Sequence, residues 1–203
     1  MSFVICSYYT LDTPYQQVCH DYLMSSLVDK GIKTDIRGIN SLGSWRANTS
    51  YKPTFIKQML ETHKDCNIVF VDADAEVLCY PELFDNIPEE YNIAAHILDK
   101  DTWYNQKFEK PKELLSGTLF IRNVYKSYDL VDKWITSCKN HPLDWEQAVL
   151  QRTLLRTNTP IYELPLSYCF IKTLPNGQEP TVKIEQPVII HNQVSRKLKV
   201  MVR

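Results

Sequence analysis

The chain has 203 residues, 44% apolar and 23% charged, with a formal net charge of -1; this suits one globular domain with a sizeable core. The near-neutral balance argues against a nucleic-acid-coating surface, so nucleic acid is not an expected partner. No apolar stretch approaches the roughly 20 residues that span a bilayer, and Met1–Cys6 is too short and uncharged for a secretory signal, so the expectation is a cytoplasmic protein with no membrane span.

Ser2–Tyr8 reads as a short apolar strand. Thr13, Pro14 and Gln16 then form a capping-box signal with Pro at the first helical position. Tyr15, Val18, Cys19, Tyr22 and Leu27 repeat at helical spacing, and Gly31 ends that helix. A second strand is expected over Ile32–Ile36, then a polar loop from Gly38 to Ser50. Pro53 opens a helix carrying Phe55, Ile56, Met59 and Leu60 on one side, and a strand follows that ends at Asp72. Strands are expected over Tyr91–Leu98 and Thr118–Ile121, and helices near Tyr125–Lys139 and Asp144–Leu155. Short strands around Ile161 and Val188–Ile190 close the chain, with no linker or repeat. Strands alternating with helices imply an α/β fold, a Rossmann-like and mostly parallel sheet flanked by helices, with a mixed C-terminal half. The expectation is a single domain over residues 1–203, with a nucleotide-binding half to about residue 75 and a closing half from 76. The six cysteines form no Cys-x-x-Cys pair, and we expect them reduced and in or near the core.

The sharpest signal is Asn67–Ala75. Four apolar residues, Ile68 to Val71, run into Asp72 and Asp74. Such a run suits a strand buried on both faces. Ligands of open α/β sheets bind outside the carboxyl ends of the strands. Two acids there can hold a hard divalent cation, which in turn holds phosphate oxygens. The plain alternative is a turn followed by a helix cap. With five glycines in the chain, the Gly-rich phosphate loops of dinucleotide and Walker-type folds are absent. A nucleotide would have to be held by metal and carboxylates.

Five further segments accompany this one: Ser7-Tyr8-Tyr9-Thr10; Trp45-Arg46-Ala47-Asn48 with Tyr51-Lys52-Pro53; Leu115-Ser116-Gly117-Thr118; Asp144-Trp145-Glu146-Gln147; and Val188-Ile189-Ile190-His191 with Gln193, Ser195, Arg196 and Lys197. In this order, over nearly the whole chain, they resemble glycosyltransferases of the GT-A fold, which use nucleotide-sugar donors. The resemblance is closest to small viral, phage and bacterial domains, a chlorovirus capsid-glycan transferase domain among them. It implies manganese or magnesium on Asp74 and His191, with Asp72 on the metal or the nucleotide ribose. It implies a donor, uridine diphosphate sugar by family frequency, whose base meets Tyr8, Tyr9 or Thr10. Arg46 and Lys52 would face donor and phosphate, Ser116 and Gly117 would lie below the donor sugar, and Arg196 or Lys197 would neutralise the diphosphate. Asp144 or Glu146 would act at the reacting carbon or on the acceptor hydroxyl. Here Glu146 stands where the family often has Asp, and Asp144 is also a good helix cap, so the choice stays open. The implied partners are the nucleotide sugar and a glycan, glycoprotein or other hydroxyl acceptor. The rivals are a phosphohydrolase of the haloacid dehalogenase type, a sugar-1-phosphate nucleotidyltransferase, and a non-catalytic nucleotide-sugar-binding module. The first expects its motif nearer the N-terminus and Thr or Val where Glu76 stands; the second expects a Gly-rich loop after the first strand.

Overall fold

The computed structural model describes residues 2–174 and 177–198, without the side chain of Lys197; Lys199, in the basic C-terminal run, lies outside it. The N-terminal apolar stretch forms β1, Phe3–Thr10. Helix α1 (Pro14–Val18), a π-helical stretch Cys19–Met24 and α2 (Ser25–Leu27) follow without a break. Thr13 caps this run by accepting from the Tyr15 amide, while Gln16 accepts from Asp12, one residue earlier than a capping box requires. Strand β2 spans Thr34–Ile39, later than the expected Ile32–Ile36. The supposed loop up to Ser50 contains α3 (Trp45–Ser50), because the Ser44 hydroxyl accepts from the Ala47 amide and caps it. Next come α4 (Lys52–Thr62), β3 (Asn67–Val71) and a short β4 (Ala75–Val77).

The second half contributes β5 (Ile93–Asp99), α5 (Lys100–Tyr104), β6 (Lys112–Ile121), α6 (Tyr125–Asn140) and α7 (Glu146–Thr157). It ends with β7 (Ile161–Glu163), β8 (Phe170–Ile171), β9 (Ile189–His191) and α8 (Ser195–Leu198). Ser116 and Gly117 lie inside β6 and not ahead of it. Asp144 caps nothing: Trp145 holds the N-cap position of α7 with no side-chain cap, and the Asp144 carboxylate is paired with Arg152.

The main sheet has the order β2-β1-β3-β6-β5-β7. β1 is parallel to β2 and β3, and β5 is parallel to β7; β6 opposes both β3 and β5. All strands of this sheet but β6 therefore share one direction. A second sheet, β4-β9-β8, sits at the carboxyl end of β3. Alternation in the central strands feeds two cores. Val4, Cys6, Ile68 and Phe70 meet the α4, α6 and α7 side, with Met59, Trp134 and Leu150. Phe3, Ile5, Val69 and Val71 meet Leu23, Phe84 and Phe120 on the other. A strand buried on both faces has no polar side to display, which is why β3 reads as an unbroken apolar run. Five cysteines are buried, Cys79 is exposed, and none is paired in a disulfide. Burial pushes the thiols of Cys19, Cys138 and Cys169 up to about 12, so they act as small apolar groups. Among the described residues no helix is long and apolar enough to cross a membrane.

Candidate active site

The site begins where β3 stops. The Asp72 amide donates to the Gly117 carbonyl at 2.8 Å, and the Ala75 amide returns to the Asp72 carbonyl at 3.0 Å. This turn places Asp72 and Asp74 between the two sheets. β4 then pairs antiparallel with β9, with Ala75 opposite His191. That register brings the imidazole to the carboxylates. One ligand atom from each of Asp72, Asp74 and His191 lies within 4.8 Å of the others.

His191 Nε2 is 2.9 Å from Thr118 Oγ1 on β6. Its Nδ1 is buried, has no hydrogen-bond partner, and lies 4.0 Å from Asp74 Oδ1. Burial, with a contribution from the Lys52 charge, lowers the imidazole to about 3. The ring is therefore neutral. When Nε2–H donates to Thr118, the Nδ1 lone pair is left open, and an orphaned buried acceptor calls for a ligand. Asp74 Oδ2 accepts from the Val194 amide at 2.9 Å. Burial and then Asp72 raise the Asp74 carboxyl to about 6. Burial raises Asp72 too; Lys52 offsets this in part and Glu146 adds to it. Two crowded carboxylates and a neutral imidazole suit a divalent cation, whose charge would restore the ionised acids. Gly117 belongs to the same construction. A Cβ there would stand 3.0 Å from His191 Cε1, 3.2 Å from Nδ1 and 3.3 Å from Asp72 Oδ2.

Lys52 joins this cluster to a second carboxylate. Its Nζ lies 3.0 Å from Asp72 Oδ1 and 2.7 Å from Glu146 Oε1, and donates to the Ser116 carbonyl and hydroxyl, both at 3.1 Å. Burial alone would lower this ammonium; Asp72 and Glu146 reverse that and hold it above its usual range. Burial likewise would raise Glu146, but Lys52, helped by the Ser116 hydroxyl at 2.8 Å, holds it below the usual carboxylate range. Glu146 is thus a buried anion. The Gln147 side chain accepts from the Ser116 amide and donates to Glu113, fixing the start of α7 against β6.

A cleft of about 620 Å³ opens beside these groups. Of the residues the sequence singled out, Tyr8, Tyr9, Thr10, Lys52, Asp72, Asp74, Ser116, Glu146 and Arg196 line it. His191 belongs to the carboxylate–imidazole cluster behind it, and Gly117 packs against that cluster. Arg46 and Asp144 are not on its wall. Lys52 has its protons engaged by protein groups, so it is not a free phosphate contact. Arg196 also donates to the Thr173 carbonyl. The side chain of Lys197 is outside the described residues. Tyr8 gives its hydroxyl to the Asn48 carbonyl at 2.7 Å and so pins α3 to the sheet. Sequence reasoning assigned no role to Trp45, Tyr15, Tyr104, Trp145 or Gln193, which also line the cleft. Trp45 and Trp145 did have a signal: each sits in a polar stretch at a helix start, where a large apolar side chain has no core to enter.

The chain thus combines an α/β sheet that has one reversed strand with a carboxylate–imidazole cluster where β3 ends. Solved structures carry the same fold. A glycosyltransferase involved in glycosylation of the major capsid of PBCV-1 is 15% identical, with a TM-score of 0.68; the match covers 97% of this chain and 96% of that one. LgtC, as an active-site mutant, is 12% identical with a TM-score of 0.57, over 93% and 86% of the chains. GlyE of Streptococcus pneumoniae TIGR4 is 13% identical with a TM-score of 0.58, over 100% and 60%. No curated protein sequence matches significantly. Residues 15–201 match the model of the nucleotide-diphospho-sugar transferases, and the chain belongs to that family. It is a glycosyltransferase of the GT-A fold, and the phosphohydrolase alternative is set aside.

Proposed function

We propose that the protein is a divalent-cation-dependent glycosyltransferase that moves a sugar from a uridine diphosphate sugar to a hydroxyl of a glycan or glycoprotein. The observation that carries this reading is the open, buried Nδ1 of His191 facing Asp74 beside Asp72. Asp72, Asp74 and His191 would hold manganese or magnesium. Such a cation supplies positive charge against a diphosphate whose negative charge grows as the glycosidic bond breaks.

The chain's own residues do the remaining work. Tyr8, Tyr9 and Thr10 stand at the end of β1 to receive the base, and Arg196 faces the cleft beside Asp74 to meet the diphosphate. Glu146 is our choice over Asp144 for the reacting carbon, since it lines the cleft whereas Asp144 is committed to Arg152. Its buried negative charge opposes the positive charge that develops at the anomeric carbon, in an environment where such charges act strongly.

The test is thermal unfolding with UDP, with and without manganese, on the wild type and Asp74→Asn. A ligand at a hundred times its dissociation constant stabilises the native state by about 2.7 kcal/mol. The expected result is a UDP shift that requires manganese and is lost in the variant. A wild type indifferent to UDP and manganese would overturn the proposal. Release of UDP from a donor sugar separates an enzyme from a binding module that has lost turnover.

A further inference from the structure

A thiol and an amine meet at the end of the main sheet away from the cleft. Cys66 immediately precedes β3, whereas the cleft opens beyond the other end of that strand. Its Sγ lies 3.5 Å from the Ser2 hydroxyl and accepts from Lys33 Nζ at 3.6 Å. The strand register brings the three together. β1 lies between β2 and β3, with Phe3 opposite Asn67 and Ile5 opposite Thr34. One position earlier on each strand, Ser2 stands beside Cys66 and Lys33 beside Val4; the Ile5 amide donates to the Lys33 carbonyl. Residues two apart along a strand share a face, and Val4, Ile68 and Cys66 all join the core on the α4 side. The Lys33 side chain therefore crosses β1 on that face to reach a sulfur at the entry to β3.

This sets Cys66 apart from the other cysteines. Burial pushes the thiols of Cys6, Cys19, Cys138 and Cys169 up, and Cys79 is exposed. Cys66 keeps 6% of its surface in contact with solvent, beneath the exposed residues Ser2 and Lys33. Such a narrow opening suits a small oxidant more than a bulky thiol such as glutathione. The amine stands near the separation of about 3–3.5 Å from which bonds form without large rearrangement.

We propose that Cys66 and Lys33 are a site of oxidative cross-linking, where hydrogen peroxide leads to a covalent Sγ–Nζ bond. Peroxide first converts the Cys66 thiol to a sulfenic acid and leaves as one water, the sulfur giving up two electrons. Lys33 Nζ, having lost a proton to solvent, then attacks that sulfur. The S–O bond breaks, and its hydroxyl departs with a second amine hydrogen as another water. One peroxide is consumed, and the product is a sulfenamide, which a thiol reductant returns to thiol and amine. The bond staples the entry of β2 to the entry of β3 across β1. A link between positions that far apart in sequence restricts the unfolded chain and so stabilises the fold.

The test treats the whole chain with hydrogen peroxide, alkylates the remaining thiols and weighs the proteolytic peptides before and after dithiothreitol. Wild type, Cys66→Ser and Lys33→Arg are compared. The expected result is a peptide pair joining Cys66 to Lys33, lighter by two hydrogens than its separate parts. Dithiothreitol releases both parts, and neither variant forms the pair. Oxidised wild type also melts roughly 5 °C or more above oxidised Lys33→Arg, when each is measured against its own reduced form. Lys33→Arg keeps the charge and lacks the attacking amine, so it decides the matter even if loss of the Cys66 sulfur disturbs the core. Recovery of Cys66 from oxidised wild type as alkylated thiol or as sulfinic acid, with Lys33 unmodified, would overturn the proposal. So would oxidation that shifts the melting midpoints of wild type and Lys33→Arg equally.

Discussion

Lys52 shows how much one side chain can carry. It is a single buried cation between Asp72 and Glu146, with the Ser116 carbonyl and hydroxyl completing its environment. Removing the charge while keeping the bulk, as in Lys52→Met, leaves a buried anion uncompensated. The expected loss is about 3 kcal/mol, read by urea unfolding, since breaking one side of a buried pair is costly. Adding Glu146→Gln to that variant should recover part of the loss, because the charge left stranded is removed as well. A single variant within about 0.5 kcal/mol of wild type, the range of ordinary surface substitutions, would contradict this view of the site. Thr118 acts on a different atom. Its hydroxyl faces His191 Nε2 and so selects which nitrogen is left open. Thr118→Val keeps the shape and removes the acceptor. Manganese affinity, followed by calorimetry, should fall by about 10- to 100-fold, the usual effect of losing a group that orients a ligand; unchanged affinity would show that Nδ1 is not a ligand.

At the scale of elements, β2 and α4 are tied outside the cleft. Asp35 on β2 accepts from Arg37 Nε and Nη2 and lies 2.7 Å from His63 Nε2, at the end of α4. The Arg37 hydrogen bonds, opposed by burial and aided by His63, hold the Asp35 carboxyl below its usual range. A depressed acid stabilises the fold at pH values above its unfolded pKa of about 3.9, and that stability disappears as pH falls through the lower folded value. The stability gap between wild type and Asp35→Asn should therefore be full at pH 7 and close below about pH 4. A gap independent of pH would mean that the carboxylate's charge is not what ties these elements. The same scale explains what was legible in the sequence. β3 was, because burial on both faces leaves an unbroken apolar run. β4 and β8, with three and two residues, are too short to show a period. α3 was read as loop because its residues, Trp-Arg-Ala-Asn-Thr-Ser, carry no apolar stripe. The Asp pair and His191 each come after an apolar run and could be picked out singly. Their meeting depends on the pairing of β4 with β9, which no local pattern encodes. Lys52 has an ordinary lysine's signature; only its neighbours make it an ion-pair hub.

Across the whole molecule, the site is a junction. Asp72 leaves the main sheet, Ala75 enters the small one, and β9 returns His191 from far along the chain. The Asp74 carboxylate is held by the Val194 amide, 120 positions later. A chain emerging from the ribosome thus displays its carboxylate pair long before the imidazole and amide that complete the cluster. Until β9 has found β4, the half-made protein offers two exposed acids with only loose hold on any ion. Firm retention of a cation would then report that β9 has docked, and an immature chain would have little means of capturing or consuming a costly activated sugar before its fold is closed.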